Sequence, residues 1–436
     1  AINSYATRKK NIRIYLLIDE YDNFTNTILS TYGTEFYRKA THGEGFIRGF
    51  FNVIKSATTG TGAALERLFI TGVSPVTMDD VTSGFNIGTN ITNDSWFNDL
   101  VGFSENELRE MLEYYKEQGV LQESIDEIVA MMKPNYDNYC FSEDTLEQCM
   151  FNSDMALYFL KSFVLHHKKP KEIVDPNIRT DFNKLAYLIK LDHGLGENFS
   201  VIKEIAEQGE IITDIVTHFS ALEMTDPSNF RSLLFYFGLL SIKGVDMVGR
   251  PILHVPNLVV REQLFNFLIQ GYIKHDIFKI DMNKMSALFE NMAFRGDWKP
   301  LFDFIANAVR EQSRIREYIE GEAHIKGFLL AYLGMYRYYQ LYPEYELNKG
   351  FADFFFKPSL SVPVLPPFTY LLEVKYAKAG ASEKEIRALA DEAREQLLRY
   401  SEDELVAEAK AKGELKLITI VWRSWELVLL EEVTLS

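Results

Sequence analysis

Two cysteines, Cys140 and Cys149, are all that 436 residues contain, and no C-x-x-C or H-E-x-x-H spacing occurs, which excludes a disulfide scaffold and a structural zinc site. A reducing compartment, the cytoplasm, is therefore the expected location. No apolar run approaches the roughly 18 to 20 residues of a membrane span, and the first residues are polar where a signal peptide would be apolar, so no membrane partner is expected. Positive charge is scarce as well. With 46 Lys and Arg against 62 Asp and Glu, the net charge is -16, which argues against a protein that coats nucleic acid over its whole surface but leaves room for a local basic groove. The densest basic run, His166-His167-Lys168-Lys169-Pro170-Lys171, reads first as a solvated helix end and second as a phosphate contact. A phosphate loop is missing too: nothing matches G-x-x-x-x-G-K-[ST], and Gly60-Thr61-Gly62 is followed by Ala63-Ala64-Leu65, without the required Lys and hydroxyl.

What remains is a chain rich in core material, 47% apolar, with length for about three domains at roughly 150 residues each. Residues 12–18 form an apolar run broken only by Arg13, as in a strand covered on both faces of a parallel sheet, and the run ends in Asp19-Glu20. A hydrophobic strand followed by Asp-Glu is the Walker B pattern, in which the Asp holds Mg²⁺ and the Glu polarises the attacking water. A second run, 68–71, ends in Thr71-Gly72 and offers Thr71 as a sensor of the nucleotide phosphate. From there to about residue 340 the pattern is mainly helical. Ser104 and Glu107 form a capping box before the stripe Leu108, Met111, Leu112 and Tyr115, and loops are expected at Lys133-Pro134-Asn135, Lys168-Lys169-Pro170 and Val255-Pro256-Asn257. The aromatic clusters Phe235-Tyr236-Phe237 and Tyr336, Tyr338 and Tyr339 fit a core better than a base-stacking platform.

The order expected after residue 313 is a helix to about 340, strands near 344–348, 350–357 and 369–376, a helix over 383–400, and strands near 415–422 and 425–432. In the third of these strands Glu373 and Lys375 share one face, because strand side chains alternate. A carboxylate for Mg²⁺ beside an ammonium for water or phosphate is what metal-assisted phosphodiester cleavage needs. Asp353 is a lone carboxylate in the aromatic strand Gly350-Phe351-Ala352-Asp353-Phe354-Phe355-Phe356, and such a group requires a cation or a hydrogen-bond partner. The following helix opens with a capping box, Ser382 and Glu385, and its inward stripe carries Gln396 and Tyr400.

Asp353, Glu373-Val374-Lys375 and Gln396-x-x-x-Tyr400 resemble the D, E-x-K and Q-x-x-x-Y motifs of the PD-(D/E)XK nuclease superfamily, and Glu322 resembles the acid on the first helix of that fold. With Asp19, Glu20 and Thr71 resembling an AAA-like ATPase, the chain is similar to bacterial AAA-ATPase-like proteins with a C-terminal nuclease domain. The resemblance implies an α/β chain in three parts. These are a partial P-loop-type ATPase domain (1–105) that begins at Walker B, a mainly helical lid and linker (106–312), and a restriction-endonuclease-like α-β-β-β-α-β domain (313–436). It implies Mg²⁺ or Mn²⁺ held by Glu322, Asp353 and Glu373, with Asp353, Glu373, Lys375, Gln396 and Tyr400 catalytic. It also implies ATP as a ligand of the intact protein but not of this chain, DNA as the partner, and room for a homo-oligomer. One departure stands out: where relatives carry Arg in G-R-x-D, this chain has Phe351. The alternative is an ATP-regulated interaction or signalling protein whose nuclease-like fold binds a partner or nucleic acid without cutting.

Overall fold

A computed structural model describes residues 13–58, 63, 65–75, 88–170, 173–174, 197–220, 223–224, 226–274, 281–311, 321–334, 336, 338–347, 350–359, 362 and 364–434. Gly60-Thr61-Gly62, Lys171 and the expected helix start at 313 lie outside the described residues. Near the N-terminus, strands β1 (Ile14–Ile18) and β2 (Leu65–Ile70) pair in parallel and are linked through helices α1 (Asn23–Thr41) and α2 (Phe46–Thr58). Ile47, Phe51 and Ile54 of α2 pack on Ile14, Leu16 and Ile18. Tyr15 and Leu17 remain exposed, so among the described residues β1 is covered on one face, where the apolar run suggested two.

Helices α3 (Glu105–Glu117), α4 (Ile125–Tyr136) and α5 (Ser153–His166) enclose a second core around Leu108, Leu112, Ile128, Met132 and Phe159. The expected capping box forms, with Ser104 Oγ accepting from Glu107 N and Glu107 Oε2 accepting from Ser104 N. Pro134 lies inside α4 and not in a loop; it has no amide to donate to the carbonyl four residues earlier, and one residue on Asn135 Nδ2 donates to the Met131 carbonyl. The basic run is partly tied down: His167 sits 3.4 Å from Glu123, and Lys169 Nζ donates to the Val362 carbonyl. Beyond it come α6 (Glu197–Gln208), β3 (Glu210–Ile212), α7 (Pro227–Tyr236), β4 (Ser241–Val245), β5 (Pro251–His254) and α8 (Leu258–Lys274). The three short strands form an antiparallel sheet of order β3-β5-β4, which helical periodicity had concealed.

The C-terminal part is built on one sheet. Helices α9 (Met282–Arg295), α10 (Lys299–Glu311) and α11 (Glu322–Leu333) precede β6 (Tyr339–Leu347), β7 (Gly350–Pro358) and β8 (Phe368–Ala377); then follow α12 (Glu383–Tyr400), α13 (Glu404–Lys412), β9 (Glu414–Arg423) and β10 (Glu426–Val433). The strand order is β10-β9-β8-β7-β6, antiparallel except for β8 and β9, which run parallel across the α12–α13 crossover. Helix α11 stops at Leu333, short of the expected 340, because Gly334 ends it and Tyr339 and Leu341 then alternate inward as a strand. Helix α13 was not expected. Phe354, Phe356, Tyr370, Leu372, Val374, Ile418, Ile420 and Trp422 cover one sheet face and belong to the same core as Leu301, Phe302, Ile325 and Leu329. On the other face Leu371, Phe355 and Leu417 meet Leu397 and Tyr400 of α12.

Candidate nuclease and nucleotide sites

Alternation along β8 sends Leu372 and Val374 into the main core and leaves Glu373 and Lys375 on the α12 face. Pairing between β7 and β8 is regular from Phe356 opposite Tyr370 to Phe354 opposite Leu372. The next pair in that register is Asp353 and Glu373, and there the ladder changes: Asp353 N donates to Glu373 Oε1 at 3.4 Å, and Val374 N donates to Asp353 Oδ2 at 2.7 Å. Side-chain carboxylates thus take over from carbonyls where the two strands part. Both groups are deeply buried, Asp353 at 5% and Glu373 at 2% exposure. Burial first, then the charge of Asp353, push the Glu373 carboxyl up to about 9. Lys375 Nζ lies 3.9 Å from Glu373 Oε2 and 3.0 Å from Glu392 on α12.

Helix α12 carries the remaining expected residues over this spot. Glu392, Gln396 and Tyr400 are spaced by four, so they share one face. Glu392 holds Lys375, and the Tyr400 hydroxyl is pushed up in pKa by burial and then by Glu373. Gln396 Oε1 is buried without a hydrogen-bond partner, as is Thr419 Oγ1, whose residue pairs with Glu373 across β8 and β9. Glu322 reaches the site through Lys326. Lys326 Nζ is 3.1 Å from Glu322, 3.0 Å from Glu344 and 2.5 Å from Asp353. Burial disfavours the Lys326 charge, but Asp353, Glu344 and Glu322 outweigh it and hold its pKa above the usual lysine range. Lys326, Glu344 and Thr419 were not singled out from sequence. Behind Lys326, a Cβ at Gly327 would collide with Glu207 and Lys203 of α6, so α6 and α11 touch at this point.

Among the described residues no three His, Cys, Asp or Glu side chains converge as a ready metal cluster. The residues nevertheless fit a hard divalent ion. Two buried carboxyl groups abut each other, and the unsatisfied oxygens of Gln396 and Thr419 belong to the helix and strand that flank Glu373. At the other end of the chain, parallel pairing sets Asp19 beside Thr71, and Thr71 Oγ1 donates to Asp19 Oδ1 at 2.5 Å. Glu20 has φ 50° and accepts from Asn23 Nδ2. Asp22, not anticipated, is buried and accepts from the amides of Val73 and Ser74.

A five-stranded mixed sheet with an acid pair and a lysine at the point where two central strands separate defines a restriction-endonuclease-like domain. Residues 320–432 match the model of the PD-(D/E)XK nuclease superfamily, and residues 1–82 match the family described as "Predicted AAA-ATPase". The chain thus carries an AAA-ATPase-like N-terminal region and a C-terminal PD-(D/E)XK nuclease superfamily domain. No curated protein matches it. No helix among the described residues is long and apolar enough to cross a membrane.

Proposed function

We propose that the C-terminal domain is a Mg²⁺- or Mn²⁺-dependent nuclease that hydrolyses DNA phosphodiester bonds, coupled to the AAA-like module at the N-terminus. The observation that carries this reading is the buried Asp353 and Glu373 pair, two carboxyls that cannot both be ionised cheaply unless a cation joins them. Asp353 and Glu373 would hold the divalent ion, with Glu322 entering from α11. When bound, that ion supplies Lewis-acid stabilisation of charge on the phosphate. Lys375 orients the attacking water or offsets charge on the phosphate, while Gln396 and Tyr400 position the substrate or that water from α12. In this reading residues 1–105 are the ATPase-like part, 106–312 the lid and linker, and 313–436 the nuclease, acting in the cytoplasm. Asp19 and Thr71 would serve a nucleotide with Mg²⁺, and Glu20 its hydrolytic water.

The test pairs metal binding with cleavage. Mn²⁺ or Mg²⁺ is expected to raise the melting temperature, because a ligand of the folded state alone stabilises it by mass action. Asp353→Ala and Glu373→Ala should each remove that shift and plasmid nicking together. Lys375→Ala should lower cleavage by about 10²-fold or more while the shift persists, since an ammonium is not a ligand. A wild-type protein that neither shifts with Mn²⁺ nor nicks plasmid or single-stranded DNA sinks the nuclease reading and favours a non-cutting module.

A further inference from the structure

Lys326 is held in an unusual way. An ammonium has three N–H donors, and three carboxylates stand within 3.1 Å of this one: Asp353 on β7, Glu344 on β6 and Glu322 one turn earlier on α11. Glu344 lies opposite Asp353 in the register of β6 and β7, between the pairs Pro343 with Phe354 and Tyr345 with Ala352. Its backbone is left-handed, φ 44°, a conformation rare outside glycine and found here where the side chain meets Lys326. The helix bearing Lys326 is fixed: Ile325, Phe328 and Leu329 are buried in the main core, and Gly327 abuts α6. The strand residues and the helix therefore present a cradle of negative charge whose occupant is a tethered cation.

We infer that Lys326 is a built-in competitor for the divalent cation, filling the carboxylate cradle of the metal-free protein and leaving it when the ion binds. The inference rests on the nuclease reading, through Asp353. Both Asp353 oxygens are already engaged, Oδ1 by Lys326 and Oδ2 by the Val374 amide. Mg²⁺ demands oxygen ligands at about 2.0–2.1 Å, and an ammonium on the same carboxylate adds a like charge beside the ion. The apparent metal affinity is then the intrinsic affinity multiplied by the fraction of molecules with the cradle vacant, so deleting the competitor tightens binding.

Mn²⁺ titration by calorimetry at fixed ionic strength tests this on the full chain. Lys326→Met, which keeps the stem and removes the charge, should bind Mn²⁺ about tenfold or more tightly than wild type if the cradle is vacant in a tenth of molecules or fewer. Lys326→Arg should stay close to wild type. Equal or weaker binding by Lys326→Met overturns the competition while leaving the nuclease reading intact. No Mn²⁺ binding by any of the three proteins overturns both. Because removing the ammonium from three carboxylates could itself unfold the site, the wild-type protein supplies an independent readout. Acetic anhydride labelling with peptide mapping should show Lys326 more reactive with saturating Mn²⁺ than without it, with the exposed Lys39 as internal reference. Unchanged or lower reactivity overturns the inference.

Discussion

Replacing Glu207 with glutamine should change how stability depends on pH. Glu207 lies on α6 against Gly327, its Oε1 buried without a hydrogen-bond partner and 3.8 Å from the Lys203 ammonium. Burial is the main cause that moves its carboxyl from 4.5 to about 7; Lys203 opposes the shift, Glu344 adds to it and Lys326 opposes it. The folded state therefore keeps a proton that the unfolded chain releases. The stabilisation tied to that proton is complete below about 4.5 and is lost as pH rises through about 7. At about 1.4 kcal/mol per pH unit the gap amounts to about 3 kcal/mol, which falls to about 2 kcal/mol because 23% of the side chain remains exposed. Glutamine carries no such penalty. Thermal unfolding followed by circular dichroism should place Glu207→Gln about 4–8 °C above wild type at pH 8.5, taking roughly 2–4 °C per kcal/mol, and within about 1 kcal/mol of it at pH 5. A variant that is less stable at pH 8.5, or whose advantage is the same at both pH values, would refute burial as the cause.

Three further outcomes are expected. Gly350 has φ 141°, and a Cβ there would sit 2.9 Å from the Tyr400 hydroxyl, so Gly350→Ala should cost about 1–3 kcal/mol in urea unfolding. Gly380→Ala, with open space around it, should stay within about 0.5 kcal/mol. Calorimetry of this chain with ATP and Mg²⁺ should show no micromolar affinity, since Asp19 and Glu20 cannot replace a loop of backbone amides around the phosphates; micromolar binding would mean that another segment supplies the cradle.

The candidate acid–lysine cluster was legible because its logic is local. Glu373 and Lys375 are two residues apart on one strand, and Asp353 is a lone acid among phenylalanines, so alternation and the cost of buried charge pointed to them without a fold. Both capping boxes were legible for the same reason. Lys326 was not. In sequence it is one half of an ordinary i, i+4 pair with Glu322, and its importance arises only when the β6–β7 register carries Glu344 and Asp353 to it. Thr419 is equally silent until β9 runs parallel to β8 and sets it beside Glu373. The end of α11 was misjudged because Tyr336, Tyr338 and Tyr339 suit a helix face and a strand alike, and only packing decides between them.

The main core crosses the edge of the segment that matches the nuclease superfamily. The Tyr370 hydroxyl donates to the Met292 carbonyl at 2.7 Å, Trp298 Nε1 donates to Glu432 at 2.9 Å, and Leu301, Phe302 and Ile305 share a cluster with Leu372, Ile418 and Trp422. The stretch that matches the superfamily model and the stretch that shares its hydrophobic core are therefore different lengths. A chain cut to residues 320–432 would keep the acid pair and its lysine but strip two helices from an aromatic sheet face, presenting to water a surface that invites aggregation. Heredity of the motif and autonomy of the fold part company at α9.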